Sequence, residues 1–152
     1  MQESKITEHH FRYKVFKNTK QIFDVVRKKF VTLTPEEWVR QNFLVWLIQE
    51  LNYPAGLIAV EKELKVNELK KRYDIVVYNL NQKPAMLVEC KSSDVQISQK
   101  VFDQASRYNL TLKVPYLVVT NGITNYCCYI DIVNENYSFL ENIPDYNQLL
   151  EC

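Results

Sequence analysis

The segment PAMLVECKSS, which begins at Pro84, places charged residues inside an apolar run that suits a buried strand. Glu89 and Lys91 are two positions apart, so on a strand their side chains point to one side while Cys90 points away. A carboxylate and an ammonium are rarely buried unless they are paired or have a chemical task. This segment is therefore the first candidate for a functional site.

A third charged residue belongs to the apolar run YDIVVY, which precedes this segment. Asp74 lies at the entrance of that run, where a regular strand places it on the same face as Val76 and Tyr78. If the two runs pair through the intervening turn NLNQKP, Asp74 stands near Glu89 and Lys91 at one end of a sheet.

The chemistry that these three side chains could perform is metal-dependent hydrolysis at phosphorus. Two nearby carboxylates repel each other unless a cation lies between them, and such oxygen ligands suit Mg²⁺ or Mn²⁺. The lysine could orient or help to deprotonate the attacking water and offset charge on the phosphate oxygens. The structural alternative is an ion pair between Asp74 and Lys91 at the sheet end.

The tripeptide Glu-x-Lys is weak evidence by itself, because it occurs three times in the sequence. The copies that begin at Glu63 and Glu68 lie in or next to a charged connection and are expected to be solvated. Only the copy at Glu89 lies in an apolar strand with an aspartate one hairpin upstream.

Two helices are predicted ahead of these strands. Residues 19–31 place apolar side chains at helical spacing with basic residues between them, which predicts a short amphipathic helix. The second helix begins with Thr34 as N-cap, Pro35 at the first helical position and Glu37 completing a capping box. It is expected to end near Leu51.

Glu50 lies near the end of the second helix and projects on or beside its apolar face. A carboxylate in that position needs a partner. An ion pair with Arg40, or with a basic residue elsewhere, is the structural alternative to a functional role.

The rest of the sequence supplies five strands and one more helix. That helix begins at Ser92 or Ser93 and runs to about Asn109, with the polar residues Gln104 and Tyr108 on its apolar face. These two could equally be core residues that satisfy each other. The element order indicates an α/β fold. The predicted strands are residues 57–64, 73–78, 86–91, 115–120 and 126–132.

The composition narrows the class of protein. A chain of 152 residues with 47% hydrophobic content suits one domain, residues 1–152, with residues 1–18 as a loosely ordered N-terminal extension. Its two glycines cannot form a P-loop or a dinucleotide-binding fingerprint, so a nucleotide-driven motor would belong to another chain. Without an apolar membrane span or a signal peptide, the expected location is cytoplasmic, and the four cysteines are expected to be reduced thiols.

Charge is divided along the chain. Residues 1–30 hold eight Lys or Arg against three acids, whereas residues 130–152 hold five acids and no Lys or Arg. The basic third is compatible with a polyanionic partner, but on this feature alone a solvated helix face is the favoured interpretation.

Several segments together resemble a known family. VRQNFLVWLIQELNYP, KKRYDIVVYN, PAMLVECKSS, QASRY and VVTNG, in this order, resemble the N-terminal nuclease domain of type I restriction enzyme R subunits, a branch of the PD-(D/E)XK phosphodiesterase superfamily. The resemblance covers residues 20–130. It implies a restriction-endonuclease-like core, in which a mixed central β-sheet is flanked by helices, and a Mg²⁺- or Mn²⁺-dependent deoxyribonuclease activity.

The resemblance also assigns roles to residues of the strand pair. It implies that Asp74 and Glu89 hold the metal, joined by the backbone carbonyl of Cys90, and that Lys91 is the catalytic lysine. Tyr73 stands where the superfamily name has proline, which is a common variation.

Three further residues match the family on the predicted helices. Glu50 corresponds to the carboxylate on the first core helix, which supports the metal or its water. Gln104 and Tyr108 correspond to a Q-x-x-x-Y motif that helps to place DNA beside the site.

The helicase motor that follows this domain in restriction subunits is missing from the sequence, so three hypotheses stay open. The first is a nuclease that acts on DNA, with a helicase or translocase, other restriction-modification subunits or a second copy of itself as partner. The second is a catalytically silent nucleic-acid-binding or assembly module, whose basic N-terminal third contacts phosphates. The third is a purely structural partner of a restriction complex.

Overall fold

The structure, a computed structural model, describes residues 2–3 and 11–150. Residues 1 and 4–10 of the predicted extension and Cys152 lie outside the described residues. Within the described part there are ten strands, three α-helices and a short 3-10 turn. The strands are β1 (Gln2–Glu3), β2 (Tyr13–Phe16), β3 (Thr19–Asp24), β4 (Lys29–Thr32), β5 (Ile58–Val66), β6 (Leu69–Tyr78), β7 (Pro84–Cys90), β8 (Tyr116–Thr120), β9 (Thr124–Asp131) and β10 (Asn136–Leu140). The helical elements are α1 (Pro35–Gln49), the 3-10 turn (Ala55–Leu57), α2 (Gln99–Leu112) and α3 (Tyr146–Leu150).

The described strands form two sheets. The larger has the order β1-β9-β8-β7-β6-β5, and β10 also pairs with β9. In it β7 and β8 are parallel, while the other pairs are antiparallel. The smaller sheet is antiparallel, with the order β2-β3-β4. The predicted α/β fold with a mixed central sheet is confirmed.

Helices cover both faces of the larger sheet. Phe43 and Leu47 of α1 pack against one face together with Val88, and Phe102 and Ala105 of α2 pack against the other. Because side chains of a strand alternate between faces, the central strands β7 and β8 are buried on both sides and are apolar over most of their length. The adjacent thiols of β9 follow the same rule, since Cys127 faces α1 and Cys128 faces α2.

The start of α1 follows the predicted capping chemistry in part. Thr34 Oγ1 accepts a hydrogen bond of 3.0 Å from the Glu37 amide, and Pro35 occupies the first helical position. The capping box is wrong in its second half. Glu37 does not reach back to the cap, because its carboxylate binds Arg40 and Arg27.

Residues 19–31 do not form the predicted helix; they form β3, a turn and β4. Ile22 and Asp24 are fully buried while the alternate residue Phe23 is partly exposed, which is the period of a strand. Asp24 also fixes the turn, because its Oδ1 accepts hydrogen bonds from the amides of Val26 (2.8 Å) and Arg27 (2.7 Å). Side-chain bonding of this kind favours a turn over a helix.

The hairpin of β6 and β7 forms as predicted, but β6 changes faces along its length. Ile75 packs on the α1 side and Val76 on the α2 side, so alternation would place Tyr73 with Ile75. Tyr73 instead packs on the α2 side. The change coincides with a gap in the ladder between β5 and β6 at Glu61 and Asp74, where Glu61 has a φ of 52°.

The second long helix begins later than predicted. Ser98, rather than Ser92 or Ser93, is the N-cap of α2, and its hydroxyl accepts from the Val101 amide. The buried face is formed by Phe102, Ala105, Ser106 and Asn109, at intervals of three and four residues. Gln104 is exposed and therefore does not share that face.

The C-terminal part of the described chain, β10 and α3, was not predicted. Tyr53, which follows α1, is buried and donates a hydrogen bond of 2.7 Å to the carbonyl of Pro144. Tyr146 contacts the ring of Tyr53. These contacts hold the segment against the core on the α1 side. None of the described helices has the length and apolar composition needed to cross a membrane.

Candidate functional site

The site is built where β6 and β7 separate. Their ladder runs to the pair Ile75 and Val88, and the next positions on the two strands are Asp74 and Glu89. There the side chain of Asp74 takes the place of a ladder carbonyl, because its Oδ2 accepts a 2.7 Å hydrogen bond from the amide of Cys90. The separation therefore exposes a strand end and fixes one carboxylate at it.

The second oxygen of Asp74 is turned toward α1. Its Oδ1 lies 3.4 Å from Nη1 of Arg40, a buried residue of that helix. The predicted placement of Asp74 on one face with Val76 and Tyr78 does not hold, because β6 changes faces at this position. The structural alternative, an ion pair between Asp74 and Lys91, does not form; Asp74 pairs with Arg40.

Arg40 is part of a network of two arginines and several carboxylates. It binds Glu37 through two contacts of 2.7 Å, and Arg27 binds the same carboxylate at 2.9 Å. Both arginines also lie 3.3 Å from Glu61. The network therefore connects the β3-β4 turn, the first turns of α1 and Asp74.

The pKa of Asp74 shows which charges surround it. Burial raises this pKa, the Cys90 amide lowers it, and the nearby carboxylate of Glu89 raises it again. Arg40 and Lys91 lower it, but the balance leaves the pKa above its ordinary value. Glu89 and Lys91 therefore both lie close enough to Asp74 for their charges to act on it.

Glu89 is paired with a residue that the sequence analysis missed. Its Oε1 lies 2.9 Å from Nζ of Lys71, although the contact lacks the angles of a hydrogen bond. The same ammonium lies 4.9 Å from the ring centroid of Tyr73 and 4.6 Å from that of Tyr108. Lys71 therefore ties Glu89 of β7 to α2.

The phenol of Tyr73 is an unsatisfied group beside Glu89. Its side chain is 1% exposed, and its hydroxyl has no hydrogen-bond partner among the described residues. Burial and the charge of Glu89 raise the pKa of Tyr73, so the phenol is neutral and able to donate. A ligand oxygen near Glu89 would satisfy this donor.

Lys91 directly follows β7 and is partly exposed. Its amide donates a 2.8 Å hydrogen bond to the carbonyl of Thr120, which anchors the backbone to β8. Within the described chain its ammonium forms no ion pair. The anchored backbone and the unpaired ammonium leave Lys91 available to an anionic ligand.

Gln104 and Tyr108 lie on α2 beside this strand end. Tyr108 is half-buried over Lys71, while Gln104 is exposed. The two residues line one open cleft of about 440 Å³ together with Leu69, Arg107 and Thr111. The structure therefore brings the predicted pair to the same side of the sheet as Glu89.

Glu50 does not join the site. It is the exposed C-cap residue of α1, ten residues after Arg40 and so about 15 Å from it along the helix axis. The alternative for Glu50, an ion pair with Arg40, does not form for the same reason, and Glu50 has no ion pair with another described residue. Glu37, one turn from Arg40, is the buried carboxylate that α1 brings to this network.

The thiol of Cys90 is buried on the α1 side, and burial raises its pKa strongly. It is therefore unsuited to nucleophilic chemistry. Its backbone carbonyl stays a predicted ligand. The thiols of Cys90, Cys127 and Cys128 are free and buried.

The donor set can be compared with what a metal needs. Among the described residues no three His, Cys, Asp or Glu side chains are grouped closely enough to hold a metal ion. Mg²⁺ is commonly held by one or two carboxylates and keeps several waters. Asp74 and Glu89 fit that requirement in chemical type, and each has a protein cation, Arg40 or Lys71, beside it.

Missed residues are long-range partners. The sequence suggests Arg40 only as an ion-pair partner of Glu50. It places Lys71 in a charged connection, which predicts a solvated side chain. Nothing local in the sequence pairs Lys71 with Glu89, because 18 positions separate them. Only the hairpin register brings them together.

Comparisons with known proteins identify a family from the sequence and a solved structure with the same fold. The family model described as "Type I restriction enzyme R protein N terminus" matches residues 35–144, most of the chain. A solved fragment described as the HsdR subunit of a type I restriction enzyme from Vibrio vulnificus YJ016 shares the fold, with a TM-score of 0.54 and 17% identity. The similarity covers 78% of this chain and 25% of that fragment. No curated protein matches the chain.

Proposed function

Because the chain belongs to the family of type I restriction enzyme R protein N termini, we propose that it is a metal-dependent DNA phosphodiesterase of the PD-(D/E)XK superfamily. The observation that supports this proposal best is the opened end of β6 and β7. Glu89 and Lys91 both act on the charge of Asp74 there, and Lys91 forms no ion pair with a described carboxylate, whereas Asp74 and Glu89 each have a cationic partner.

Asp74 and Glu89 are the proposed metal ligands, with the carbonyl of Cys90 as a third. A bound Mg²⁺ or Mn²⁺ would act as a Lewis acid on a phosphate oxygen and lower the pKa of a bound water. Two features of the chain suit metal binding. The Cys90 amide holds the Asp74 carboxylate in place, and the side chain of Glu89 stays 16% exposed. Arg40 and Lys71 offset the carboxylate charge in the free protein.

Lys91 has the role of holding the attacking water and offsetting charge that grows on the phosphate oxygens. Its anchored backbone keeps the side chain at the strand end. Gln104, Tyr108 and the neighbouring Arg107 line a cleft beside Lys71, the partner of Glu89, and a DNA strand could lie there with a phosphate toward Lys91. Glu50 has no part in this proposal, because it lies at the far end of α1.

Cleavage assays test the proposal directly. Purified protein is incubated with supercoiled plasmid and with linear single-stranded DNA in Mg²⁺, in Mn²⁺ and in EDTA. We expect metal-dependent nicking that Lys91→Ala lowers by at least about 10²-fold, the range for a positioned acid-base group. The matched control is Lys83→Ala, which removes an exposed lysine from the turn between β6 and β7.

Retained nicking in Lys91→Ala would remove this lysine from the mechanism. Equal losses in Lys91→Ala and Lys83→Ala would point to a general charge effect on DNA binding. Nicking that persists in EDTA would contradict the metal requirement.

A catalytically silent DNA-binding module is the second candidate. It is favoured by one observation, namely that Asp74 and Glu89 each have a protein cation within 3.4 Å. Such pairs could neutralise the site permanently, as in a structural ion pair. This candidate predicts DNA binding that is unchanged by EDTA, and no metal binding by calorimetry with Mn²⁺.

The same family supports proposed partners. A helicase or translocase, other restriction subunits or a second copy of this chain would deliver DNA to the site. If wild-type protein binds Mn²⁺ through Asp74 and Glu89 yet cuts only when such a partner is added, the nuclease proposal stands. Absence of Mn²⁺ binding leaves the silent module.

A further inference from the structure

A second surface, outside the strand-end site, lies on the smaller sheet. In β3, Ile22 and Asp24 are fully buried, so the residues that alternate with them point to solvent. We name this solvent side the outer face, and its residues follow from the registers of β2, β3 and β4. The outer face consists of Arg12, Lys14, Phe16, Thr19, Gln21, Phe23, Phe30 and Thr32.

This sheet carries an excess of cations that the protein does not neutralise. Residues 11–32 hold seven Lys or Arg and a single acid, Asp24, which is bound by Arg27. The other six cations are exposed and form no ion pair with any described carboxylate. They are Arg12, Lys14, Lys17, Lys20, Lys28 and Lys29.

Aromatic rings alternate with these cations on the outer face. The guanidinium carbon of Arg12 lies 4.6 Å from the ring centroid of Phe23, and Nζ of Lys14 lies 4.4 Å from that of Phe30. At the other end of β2, the side chain of Phe16 is 56% exposed and lies 5.4 Å from Nζ of Lys17. An aromatic ring is usually buried, so an exposed ring among unpaired cations indicates a ligand surface.

We infer that the outer face binds single-stranded nucleic acid. The exposed ring of Phe16 offers a stacking platform for an unpaired base, and the flanking cations have the charge needed to contact a phosphate backbone. Bases of a duplex are already stacked on one another, so the rings would add nothing to duplex binding. Phe16 is the stacking residue, and Arg12, Lys14 and Lys17 contact phosphates.

This inference goes beyond the proposed nuclease activity and does not depend on it. The outer face contains none of Asp74, Glu89 and Lys91, and it needs no metal. Arg27 is excluded from the surface because Asp24 and Glu37 bind it. Binding of nucleic acid to the outer face can therefore be measured in EDTA, where the proposed nuclease is inactive. A loss of this binding tests the outer face, whereas a loss of metal-dependent cleavage tests the nuclease site.

The test is fluorescence anisotropy with the full chain in EDTA over a series of salt concentrations. The probes are labelled single-stranded DNA, single-stranded RNA of the same sequence, and a hairpin duplex. We expect tighter binding of the single strands, with affinity falling linearly in log salt. The RNA and DNA arms show which sugar the surface accepts.

The variants separate stacking from charge. Phe16→Leu keeps an apolar side chain but removes the ring, and we expect it to weaken single-strand binding at least about fivefold. Arg12→Ala with Lys14→Ala removes two phosphate contacts and is expected to lower the salt slope by about 1.4. Leu80→Ala, at an exposed apolar residue, and Lys83→Ala are the matched controls.

Three outcomes would overturn the inference. Unchanged single-strand affinity in both Phe16→Leu and the Arg12 and Lys14 double variant would show that nucleic acid binds elsewhere. Equal affinity for the hairpin duplex would remove the role of the rings. Binding to anionic phospholipid vesicles in place of all three oligonucleotides would assign the surface to a membrane. Melting curves of each variant exclude unfolding as the cause.

Discussion

At the scale of single residues, Asp74 is a position where the fold disfavours the ionised carboxylate that the proposed chemistry requires. Its side chain is buried enough to raise its pKa, yet its ionised form is the one that could bind a metal. The protein keeps this carboxylate in place through the Cys90 amide and Arg40. Such a conflict is typical of functional positions, where stability is given up for activity.

Asp74→Asn is therefore expected to stabilise the fold. The raised pKa means that folding disfavours the ionised carboxylate, so stability falls as pH rises from the ordinary value of 3.8 through the higher pKa of the folded state. At neutral pH the full penalty is present. Asparagine still accepts from the Cys90 amide without the charge. We expect a gain on the order of 1 kcal/mol in the free energy of unfolding.

Chemical denaturation at several pH values, in EDTA, measures this gain. Glu63→Gln is the matched control, because Glu63 is exposed and its pair with Lys70 is 3.7 Å long. It should change stability by less than about 0.5 kcal/mol. If Asp74→Asn were less stable than wild type at neutral pH, the pair with Arg40 would outweigh burial.

At the scale of elements, local chemistry was predictable and long-range pairing was not. Thr34 and Pro35 mark the start of α1 whatever surrounds the helix, and the turn between β6 and β7 was also correct. Residues 19–31 place Ile22, Val25, Val26 and Phe30 at helical spacing, yet strands bury Ile22 while the two valines lie in a turn that contacts the core. Periodicity over so short a stretch fits both structures.

Asp24 favours the hairpin of β3 and β4 over a helix, because its carboxylate bonds the amides of the turn. Its removal is therefore expected to weaken the smaller sheet. Burial opposes ionisation of Asp24, but hydrogen bonds from Arg27 and the Val26 amide outweigh it and lower its pKa. The stability that ionised Asp24 contributes to the fold is fully present above pH 3.8, its ordinary pKa. It is lost as the pH falls through the lower pKa that Asp24 has in the folded protein. Asp24→Ala should lower the free energy of unfolding by about 2–3 kcal/mol at neutral pH.

Asp131 provides the comparison for this variant. It forms a similar turn by accepting from the amides of Val133 and Asn134, but it is only partly buried and has no arginine partner among the described residues. Thermal and urea unfolding of Asp131→Ala should show a clearly smaller loss than Asp24→Ala. Similar losses in the two variants would mean that the turn, rather than the buried charge, provides the stability.

At the scale of the whole molecule, the candidate site depends on contacts between elements distant in sequence. Asp74, Glu89 and Lys91 could be grouped from the sequence because one hairpin holds them. Arg40 and Lys71 could not be, since they arrive from α1 and from the start of β6. The sequence gives the side of α1 on which Glu50 lies, but it does not give the distance along the helix axis from Glu50 to the sheet end. The prediction that Glu50 joins the site failed for this reason.

The hydrogen bond from Tyr53 to Pro144 tests whether the C-terminal segment shares the stability of the core. Tyr53→Phe keeps the ring contact with Tyr146 and leaves the Pro144 carbonyl without its donor. We expect a loss of about 1–2 kcal/mol in the free energy of unfolding, with faster amide exchange in residues 143–150. Tyr13→Phe, at an exposed tyrosine, is the control. Faster exchange without a change in global stability would show that the segment opens independently.

The pairing of Asp74 with Arg40 has a consequence for ion binding. A guanidinium beside the carboxylate acts as an internal counter-ion, so it offsets part of the repulsion between Asp74 and Glu89. If a metal binds as proposed, it must displace this guanidinium, so its affinity depends on how strongly each of the two cations binds the carboxylate. Arg40 keeps Glu37 and Glu61 as partners when it is displaced, so the exchange leaves no charge stranded in the interior.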